Sequence, residues 1–320
     1  MRRAARFGSV AVVIEVNDLT KRYGRKTAVD ALSFTVRPGH VTGFLGPNGA
    51  GKTTTLRMIL GLDAPTRGTA TVGGVPFRTH RRGLRHVGAL LDANHVHGGR
   101  SARAHLSALA RSNGIPPRRV DEVLREVGLA EVARQRVGGF SLGMKQRLGI
   151  ATALLGDPPV LLFDEPINGM DPEGVRWVRH LFRRLAAEGR TVFLSSHLMT
   201  EMENTADQLV VIGRGRLVAA ESLAGFAAGG SRRSVLVRTP RAAELTALLT
   251  AAGARVEAQE RVDSEVPTLT VTGLLAEQIG TLAFDHRIVL HELATRTASL
   301  EDAYLELTAD RVEYLAGQSR

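Results

Sequence analysis

A glycine-rich segment near the start of the chain has residue types and a spacing suited to binding a polyphosphate. Residues 46–53 read Gly-Pro-Asn-Gly-Ala-Gly-Lys-Thr and match the phosphate-loop pattern Gly-x-x-x-x-Gly-Lys-Ser/Thr at every position. Glycines let the backbone wrap closely around phosphate oxygens, Lys52 can reach the β- and γ-phosphates, and the Thr53 hydroxyl can ligate Mg²⁺. The sequence therefore predicts a nucleoside triphosphate site. Its predicted binding residues are Gly46, Pro47, Asn48, Gly49, Ala50, Gly51, Lys52, Thr53 and Thr54.

The residues on either side of this loop predict the strand–loop–helix context that phosphate binding requires. Val41–Leu45 is a short apolar strand, and Thr54–Leu62 carries Leu56, Ile59 and Leu60 at helical spacing. Such a helix points its N-terminal N–H groups and the positive end of its dipole at an anion. A glycine-rich turn followed by a chance Lys-Thr pair is the alternative, and the presence of all three elements favours the triphosphate site.

Two adjacent carboxylates follow a second apolar strand. Val160–Phe163 predicts a buried strand, and Asp164 emerges at its carboxyl end, where ligands bind in open α/β sheets. Asp164 suits a carboxylate on the Mg²⁺ side of the triphosphate, and Glu165 could polarise the attacking water as a general base. An isolated Asp-Glu pair would instead be interpreted as a solvated strand end, so this prediction depends on the phosphate loop.

Composition limits the class of protein. The 320 residues suffice for about two domains, and the absence of cysteine excludes disulfides and Cys-zinc sites. Apolar runs such as Val10–Ile14 fall far short of the roughly 20 residues that span a bilayer, so any membrane role is expected to come through a partner. The net charge of +10 leaves two interpretations open, a nucleic-acid face or a surface near anionic lipid headgroups. The lack of a basic–aromatic pattern disfavours nucleic acid.

The order of apolar segments predicts an α/β fold. Val160–Phe163, Thr191–Leu194 and Leu209–Ile212 are typical of a buried parallel sheet, with a helix at about 173–188 between the first two. The segment from about 102 to 155 has a helical pattern that is broken by Gly114 and Pro116-Pro117. Further strands are predicted at Val12–Val16, Ser33–Val36 and Thr69–Val72.

Beyond Gly229 the composition shifts, and the residues predict a second, smaller domain. The order β-α-β-β-α-β is that of a ferredoxin-like unit. Its strands are predicted at Ser234–Arg238, Ala254–Glu257, Thr268–Thr272 and Ile288–Leu293, and its helices at Ala242–Ala252 and Leu274–Phe284. A final helix capped by Ser299 would place Leu300, Tyr304 and Leu307 on one face.

The segment Phe140–Arg147, Phe-Ser-Leu-Gly-Met-Lys-Gln-Arg, resembles the signature motif of ABC transporter ATPases. With the phosphate loop before it and Asp164 after it, residues 13–225 resemble the ATPase subunit of such transporters as a whole. The resemblance implies that Ser141 and Gly143 face the γ-phosphate held by a second subunit. A serine-capped helix N-terminus is also a suitable anion site on physical grounds, and an ordinary capped helix is the alternative.

The resemblance assigns roles to four further residues. It implies that Tyr23 stacks on adenine, that Asp171 lies in a loop contacting the partner ATPase, and that His197 reaches the γ-phosphate. Asp92 stands where the family usually has glutamine, a residue that touches Mg²⁺ and relays contact with the membrane subunit, and a carboxylate can serve a hard cation. The implied catalytic residues are Lys52, Glu165 and His197, and the implied metal ligands are Thr53, Asp164 and Asp92.

The signature variant is similar to that of the drug- and antibiotic-export branch of the family, as are residues 168–172 and 298–304. We predict an α/β P-loop ABC ATPase fold with a mixed sheet core, an antiparallel β subdomain and a helical subdomain, followed by a small α+β ferredoxin-like domain. The predicted segments are a basic N-terminal tail at 1–12, the ATPase domain at 13–229 with its helical subdomain at about 92–157, the accessory domain at 230–310 and a tail at 311–320.

The predicted function is that of the ATP-hydrolysing subunit of a two-component exporter, peripheral on the cytoplasmic side of the membrane. ATP and Mg²⁺, a second copy of the chain and a separately encoded permease are the expected cofactors and partners, and no nucleic acid is expected. A soluble ABC ATPase acting on nucleic acid or the ribosome is the alternative, but such proteins usually carry two cassettes and this sequence shows one. An importer ATPase with a regulatory tail is disfavoured by the signature variant.

Overall fold

The computed structural model describes residues 12–230, 233–259 and 266–297, together with Glu301 and Tyr304. The chain divides into two compact units, the first running to Ala224 and the second beginning at Gly225. The strands of the first unit are β1 (Ile14–Tyr23), β2 (Lys26–Val36), β3 (Val41–Leu45), β4 (Arg67–Val72), β5 (Val87–Leu90), β6 (Val160–Phe163), β7 (Thr191–Ser196), β8 (Gln208–Gly213) and β9 (Arg216–Ser222). Its helices are α1 (Lys52–Ile59), α2 (Ala102–Ser112), α3 (Arg118–Glu126), α4 (Leu142–Leu154), α5 (Pro172–Ala187) and α6 (Met199–Glu203), and α7 (Leu223–Gly230) spans the boundary.

A six-stranded mixed sheet forms the centre of the first unit. Its order is β5-β6-β7-β3-β8-β9, with parallel pairing except between β8 and β9. Every residue of β3 and β6 is buried, as continuous apolar strands covered on both faces require. In register, Phe163 pairs with Leu194 and Leu45 with Ser196, so the carboxyl ends of β6, β7 and β3 meet at one edge of the sheet.

A three-stranded antiparallel sheet packs beside the central one. Its order is β2-β1-β4, and Ile14 pairs with Val36 on one side and Val72 on the other. The strands at the start of the chain are longer than the sequence predicts, since β1 and β2 pair up to the tight turn between Tyr23 and Lys26. Phe34 of this sheet lies with its ring centroid 5.6 Å from those of Phe44 and Phe193, which joins the two sheets in one core.

The helical subdomain consists of α2, α3 and α4. Ser101 caps α2 and Ser141 caps α4, and in both the serine Oγ accepts a hydrogen bond from the backbone N–H three residues on. Helices α2 and α3 each bury one apolar stripe, represented by Leu106 and Val123, whereas α4 is buried on all sides from Leu148 to Ala151. The predicted combination of mixed core, antiparallel β subdomain and helical subdomain is therefore confirmed.

The second unit has the predicted ferredoxin-like topology. Its elements are β10 (Arg233–Arg238), α8 (Ala242–Ala251), β11 (Arg255–Gln259), β12 (Thr268–Thr272), α9 (Ala276–Asp285) and β13 (Glu292–Thr297). The sheet is antiparallel with the order β11-β12-β10-β13. Leu245 and Leu249 of α8 and Ile279 of α9 pack with Val235, Val271 and their neighbours in a core of its own.

The last strand of this unit begins later than the sequence predicts. The predicted strand Ile288–Leu293 is wrong at its start, because Ile288 ends the turn that closes α9: its N–H donates to Ala283 O at 2.8 Å. Arg287 adopts a left-handed backbone with φ 53° at this turn, and Ile288 is buried as an apolar residue following a helix end. The start of the apolar run, at Ile288, therefore packs at the end of α9, and the strand begins only at Glu292. The helix predicted from Ser299 lies outside the described residues apart from two of its positions.

None of the helices in the described part of the chain has both the length and the apolar character needed to cross a membrane.

Candidate nucleotide-binding and catalytic site

The phosphate loop lies between the carboxyl end of β3 and the first residue of α1. Gly51 caps the helix with φ 104°, and a Cβ at this position would lie 2.6 Å from the carbonyl oxygen of Ala28. Both the backbone conformation and the space therefore require glycine. The loop is closed by a hydrogen bond from Ala50 N to Pro47 O at 3.1 Å. The first N–H groups of α1 follow directly, in the arrangement that binds phosphate.

The Lys52 ammonium is held within this loop. Its Nζ donates to Gly46 O at 2.5 Å and to Pro47 O at 3.4 Å, and it lies 3.6 Å from Glu165 Oε1. The side chain is 6% exposed. Burial lowers the pKa of Lys52, against the opposing effect of Glu165 and Asp164. The charge thus lies where the loop would curve around a polyphosphate, and it is poorly compensated by solvent.

Asp164 lies at the end of β6, 8% exposed, with both carboxylate oxygens engaged by hydroxyl groups. Thr53 Oγ1 donates to Oδ2 at 2.6 Å, and Ser195 Oγ donates to Oδ1. Burial raises the pKa of Asp164 above its usual range, and this effect exceeds the opposing effect of the two hydrogen bonds. A hydroxyl and a carboxylate at this separation are oxygen ligands of the type that a hard cation prefers.

Glu165 has a backbone conformation that is rare for its residue type. Its φ is 48°, in the left-handed region, which costs free energy and is found where the surroundings enforce it. Its N–H donates to Ser195 Oγ at 3.0 Å. Its carboxylate lies beside three nitrogens: Oε2 is 2.9 Å from His197 Nδ1 and accepts from Asn168 Nδ2 at 3.4 Å, and Oε1 is the atom facing Lys52. The side chain is directed into the cluster and remains 23% exposed.

Ser195 is a site residue that the sequence analysis did not single out. It is fully buried, and its hydroxyl both accepts from Glu165 N and donates to Asp164. The available signal was a serine at the carboxyl end of the apolar strand β7, next to the strand that carries Asp164. Recognising its role required the pairing of β6 with β7.

Tyr23 lies at the end of β1 with half of its side chain exposed. Its hydroxyl donates to Asp63 Oδ2 at 3.2 Å and is hydrogen-bonded to Thr54, next to the phosphate loop. Lys21 Nζ lies 5.0 Å from the ring centroid. Burial and the neighbouring Asp63 raise the pKa of Tyr23. An exposed aromatic face is thus fixed beside the loop, as a base-stacking residue requires.

The signature residues lie at the start of α4, on a different element from the phosphate loop. Ser141 Oγ accepts from Met144 N at 3.2 Å at the exposed N-terminus of α4, and Gly143 follows in the first turn. Asp171 caps α5 in the same way, accepting from Gly174 N at 2.9 Å. Among the described residues, no hydrogen bond or ion pair joins Ser141 to Lys52.

Asp92 is engaged within its own loop. Its Oδ1 accepts from Asn94 N at 2.8 Å, and its Oδ2 lies 3.2 Å from His95 Nε2. In the part of the chain that the structure describes, no hydrogen bond joins it to Thr53 or Asp164. Asp92 instead lines an open, largely apolar groove of about 430 Å³ together with Leu60, Leu62, Phe77, Leu84, Val87, Leu91 and His95.

Comparison with known proteins identifies the class. Residues 29–168 match the ABC transporter family, and residues 233–301 match a domain of unknown function (DUF8746). The chain is 44% identical to the bacitracin transport ATP-binding protein BcrA of Bacillus licheniformis, over 65% of this chain and 69% of that protein. It is 40% identical to the Nod factor export ATP-binding protein I of Ralstonia nicotianae, over 65% of this chain and 66% of that protein.

A solved structure of an ATP-binding subunit of an ABC transporter has the same fold, with a TM-score of 0.63 and 28% identity over 68% of this chain and 92% of that one. The chain belongs to the ATP-binding subunits of ABC transporters. It is therefore a nucleotide-binding ATPase coupled to transport, and the predictions of family, fold and enzyme class are confirmed.

Proposed function

We propose that this chain is the ATP-hydrolysing subunit of a two-component exporter. Two copies would enclose two ATP molecules at the cytoplasmic side of the membrane. A separately encoded permease would carry the compound, which we expect to be a drug, an antibiotic or another hydrophobic molecule. The relatives named for bacitracin transport and Nod factor export support this direction, as does the Ser-Leu-Gly-Met form of the signature.

The observation that carries the proposal is the cluster of charged groups at the carboxyl ends of β3, β6 and β7. The Glu165 carboxylate lies 3.6 Å from Lys52 Nζ and 2.9 Å from His197 Nδ1, although the three residues come from separate elements. A phosphoryl-transfer site needs positioning and charge stabilisation, and no covalent nucleophile. This cluster offers a cation for the phosphates and a carboxylate for water.

We assign each of these groups a step. A bound γ-phosphate would accept the hydrogen bonds of the Lys52 ammonium, which would release Glu165 from its ion pair. The Glu165 carboxylate would then orient water and accept its proton as the water attacks the γ-phosphorus, while the bond to the β–γ bridging oxygen breaks and ADP and inorganic phosphate are released. His197, hydrogen-bonded to Glu165 through Nδ1, would present its other ring nitrogen to the γ-phosphate.

Mg²⁺ is the metal that these residues fit. The adjacent oxygens of Thr53 and Asp164 are its proposed ligands, with the phosphates supplying others. When bound, Mg²⁺ would neutralise charge on the phosphate oxygens. No group of three or more His, Cys, Asp or Glu side chains suited to a metal occurs among the described residues, so the substrate is needed to complete the site. We also propose two roles for Asp92. Its carboxylate would contact this ion, and the groove that Asp92 lines would be the place where this contact is relayed to the permease.

The exposed position of Ser141 at the start of α4 supports a composite site. Ser141 and Gly143 of the second copy would face the γ-phosphate bound at Lys52 of the first, and Asp171 would lie at the contact between copies. The exposed, serine-capped start of α4 is suited to an anion that the same chain does not provide.

The test is Glu165→Gln in the full chain. We expect ATP turnover to fall by about 10²-fold or more, because the carboxylate base is lost. ATP binding should persist, and the variant should elute at twice the monomer mass with ATP and Mg²⁺. The exposed Glu131→Gln in the helical subdomain is the control and should behave as the parent chain.

Two results would contradict the proposal. Near-normal turnover of the Glu165→Gln variant would remove Glu165 from the base role, and a strictly monomeric variant in the presence of ATP and Mg²⁺ would exclude the two-site assembly. Capture of RNA or DNA in place of a multi-spanning membrane protein by the tagged chain would favour the nucleic-acid alternative.

A further inference from the structure

A buried amide on the signature helix contacts the backbone of the proposed base. Gln146 lies in the second turn of α4 and is 6% exposed. Its Nε2 is 3.4 Å from Glu165 O and 3.3 Å from Asn168 O. Both partners are carbonyl oxygens, so only the NH₂ end of the amide can satisfy them, and its orientation is determined by chemistry.

The other end of this amide has no compensating contact. Gln146 Oε1 is buried and forms no hydrogen bond among the described residues. An unpaired buried acceptor costs stability, and an apolar residue of similar shape would avoid that cost. The two hydrogen bonds that Nε2 donates therefore explain why a polar residue stands at position 146.

Those bonds act on the strained backbone of Glu165. Its left-handed conformation is held on the N–H side by Ser195 Oγ and on the carbonyl side by Gln146 Nε2. Asn168 N also donates to Glu165 O, at 3.3 Å. Strained residues keep an unfavourable conformation only when neighbours determine it from several directions, and Gln146 is the neighbour that comes from the helical subdomain.

The first turn of α4 packs against the same segment. The Leu142 side chain lies directly over Gly169, where a Cβ would be 2.1 Å from Leu142 Cδ2. Gly169 itself has φ 74°, and its carbonyl oxygen would be 3.4 Å from a Cβ on Gly143. The start of α4 and residues 165–170 are thus packed against each other. A movement of either segment must carry the other with it or break these contacts.

We propose that Gln146 is a positioning residue that sets the conformation of Glu165 from the signature helix. In the composite site proposed above, the start of α4 serves the nucleotide of the second copy, whereas Glu165 serves the nucleotide of its own chain. Gln146 therefore links the two sites. When the ATP of the second copy binds at the start of α4, the change is transmitted through Gln146 to Glu165, the base that acts on the ATP of its own chain. This inference depends on the proposed role of Glu165.

The experiment uses Gln146→Met in the full chain, because methionine has a similar length and no donor. We expect kcat to fall about tenfold, KM for ATP to stay within about twofold, and the Hill coefficient for ATP to fall toward one. The melting temperature should not decrease, since the variant also removes the unpaired oxygen. Gln135→Met, at an exposed position of the same subdomain, is the matched control and should retain the parent kinetics.

A double-mutant cycle with Glu165→Gln separates positioning from a general structural effect. If Gln146 acts through Glu165, adding Gln146→Met to the Glu165→Gln variant should change the residual rate by less than about twofold. An equal proportional loss in both backgrounds would overturn the proposal, as would unchanged kcat in the single variant. An inactive parent chain would instead contradict the proposed function itself.

Gln146→Glu supplies a second readout that does not depend on tolerance of methionine. The introduced carboxyl can donate to Glu165 O only when protonated, and burial beside two carbonyl oxygens favours that form. The ratio of its kcat to that of the parent chain should rise as pH falls from 8 to 6. A ratio that does not change with pH would overturn the role of the donor.

Discussion

Single side chains at the site carry charge in surroundings that disfavour it. Burial lowers the pKa of Lys52 and raises that of Asp164, so for both groups the folded chain opposes the charged form. The ion pair of Lys52 with Glu165 and the hydroxyl contacts of Asp164 compensate only in part. A triphosphate with a divalent cation would supply the missing charges, which is the physical reason to expect strong stabilisation by ligand.

The first residue-scale prediction concerns Asp164→Asn without nucleotide. A carboxyl whose folded pKa is raised makes the free energy of unfolding decrease as pH rises from the unfolded value, about 3.9, through the folded value. Asparagine removes this loss. We therefore expect the variant to melt higher than the parent chain by about 2 °C or more at pH 8, with a difference that shrinks toward pH 4.5.

The measurement is a series of thermal melts from pH 4.5 to pH 8, with the exposed Asp285→Asn of the second unit as control. The Asp164→Asn variant should also lose Mg²⁺-dependent ATP turnover, so that its stability rises while its activity falls. A stability difference of constant size at every pH would show that the charge of Asp164 is not its cause.

At the scale of elements, α2 and α4 of the helical subdomain both begin with a serine cap, but we propose a function in nucleotide binding for only one of the two serines. Ser101 Oγ and Ser141 Oγ each accept from an N–H at 3.2 Å. The local energy of the two caps is therefore comparable. Only Ser141 belongs to the signature segment and is proposed to meet the second copy's nucleotide, so the pair separates a structural cap from a functional one.

The element-scale prediction is that Ser141→Ala and Ser101→Ala each lower stability by about 1 kcal/mol, the usual value of such a cap. Only Ser141→Ala should also reduce ATP turnover and prevent ATP-dependent dimerisation. Denaturant unfolding and steady-state ATPase assays on both variants provide the comparison. Unchanged activity of the Ser141→Ala variant, or equal losses in both, would contradict the composite site.

Across the whole molecule, the chain has two units with separate hydrophobic cores, and all the candidate site residues lie in the first. We propose that the functional boundaries follow the predicted domains, with the ATPase domain at 13–229 and the accessory domain at 230–310. Because the site residues come from β1, β3, β6, β7 and the segments after them, ligand binding should stabilise the central sheet of the first unit directly.

The whole-molecule prediction is tested by hydrogen exchange of the Glu165→Gln variant with and without ATP and Mg²⁺. We expect slower exchange in peptides covering 41–60 and 140–150, because loop amides bind phosphate and α4 meets the second copy. Peptides covering 233–259 should change less. Uniform protection of both units would show that nucleotide binding stabilises the chain as one cooperative body, and protection confined to 41–60 would argue against the composite site.

Much of the site could be predicted because its charged and phosphate-binding residues occur in short motifs with fixed spacing. Lys52 and Thr53 follow from one octapeptide, and Asp164 and Glu165 from their position after an apolar strand. The ferredoxin-like order of the second unit was also readable from apolar segments. The start of its last strand was not, because Ile288 packs at a helix end, and a local apolar pattern does not distinguish that from a strand.

The sequence by itself determined which residue types are available and in what order, and for a nucleotide site that is enough to name the class. The tertiary structure decided which of them touch. The roles of Ser195 and Gln146 arise from the pairing of β6 with β7 and from the packing of α4 on residues 165–170. Such contacts join residues distant in the chain, and they exist only once burial of the apolar strands has set the register and brought the helix against them.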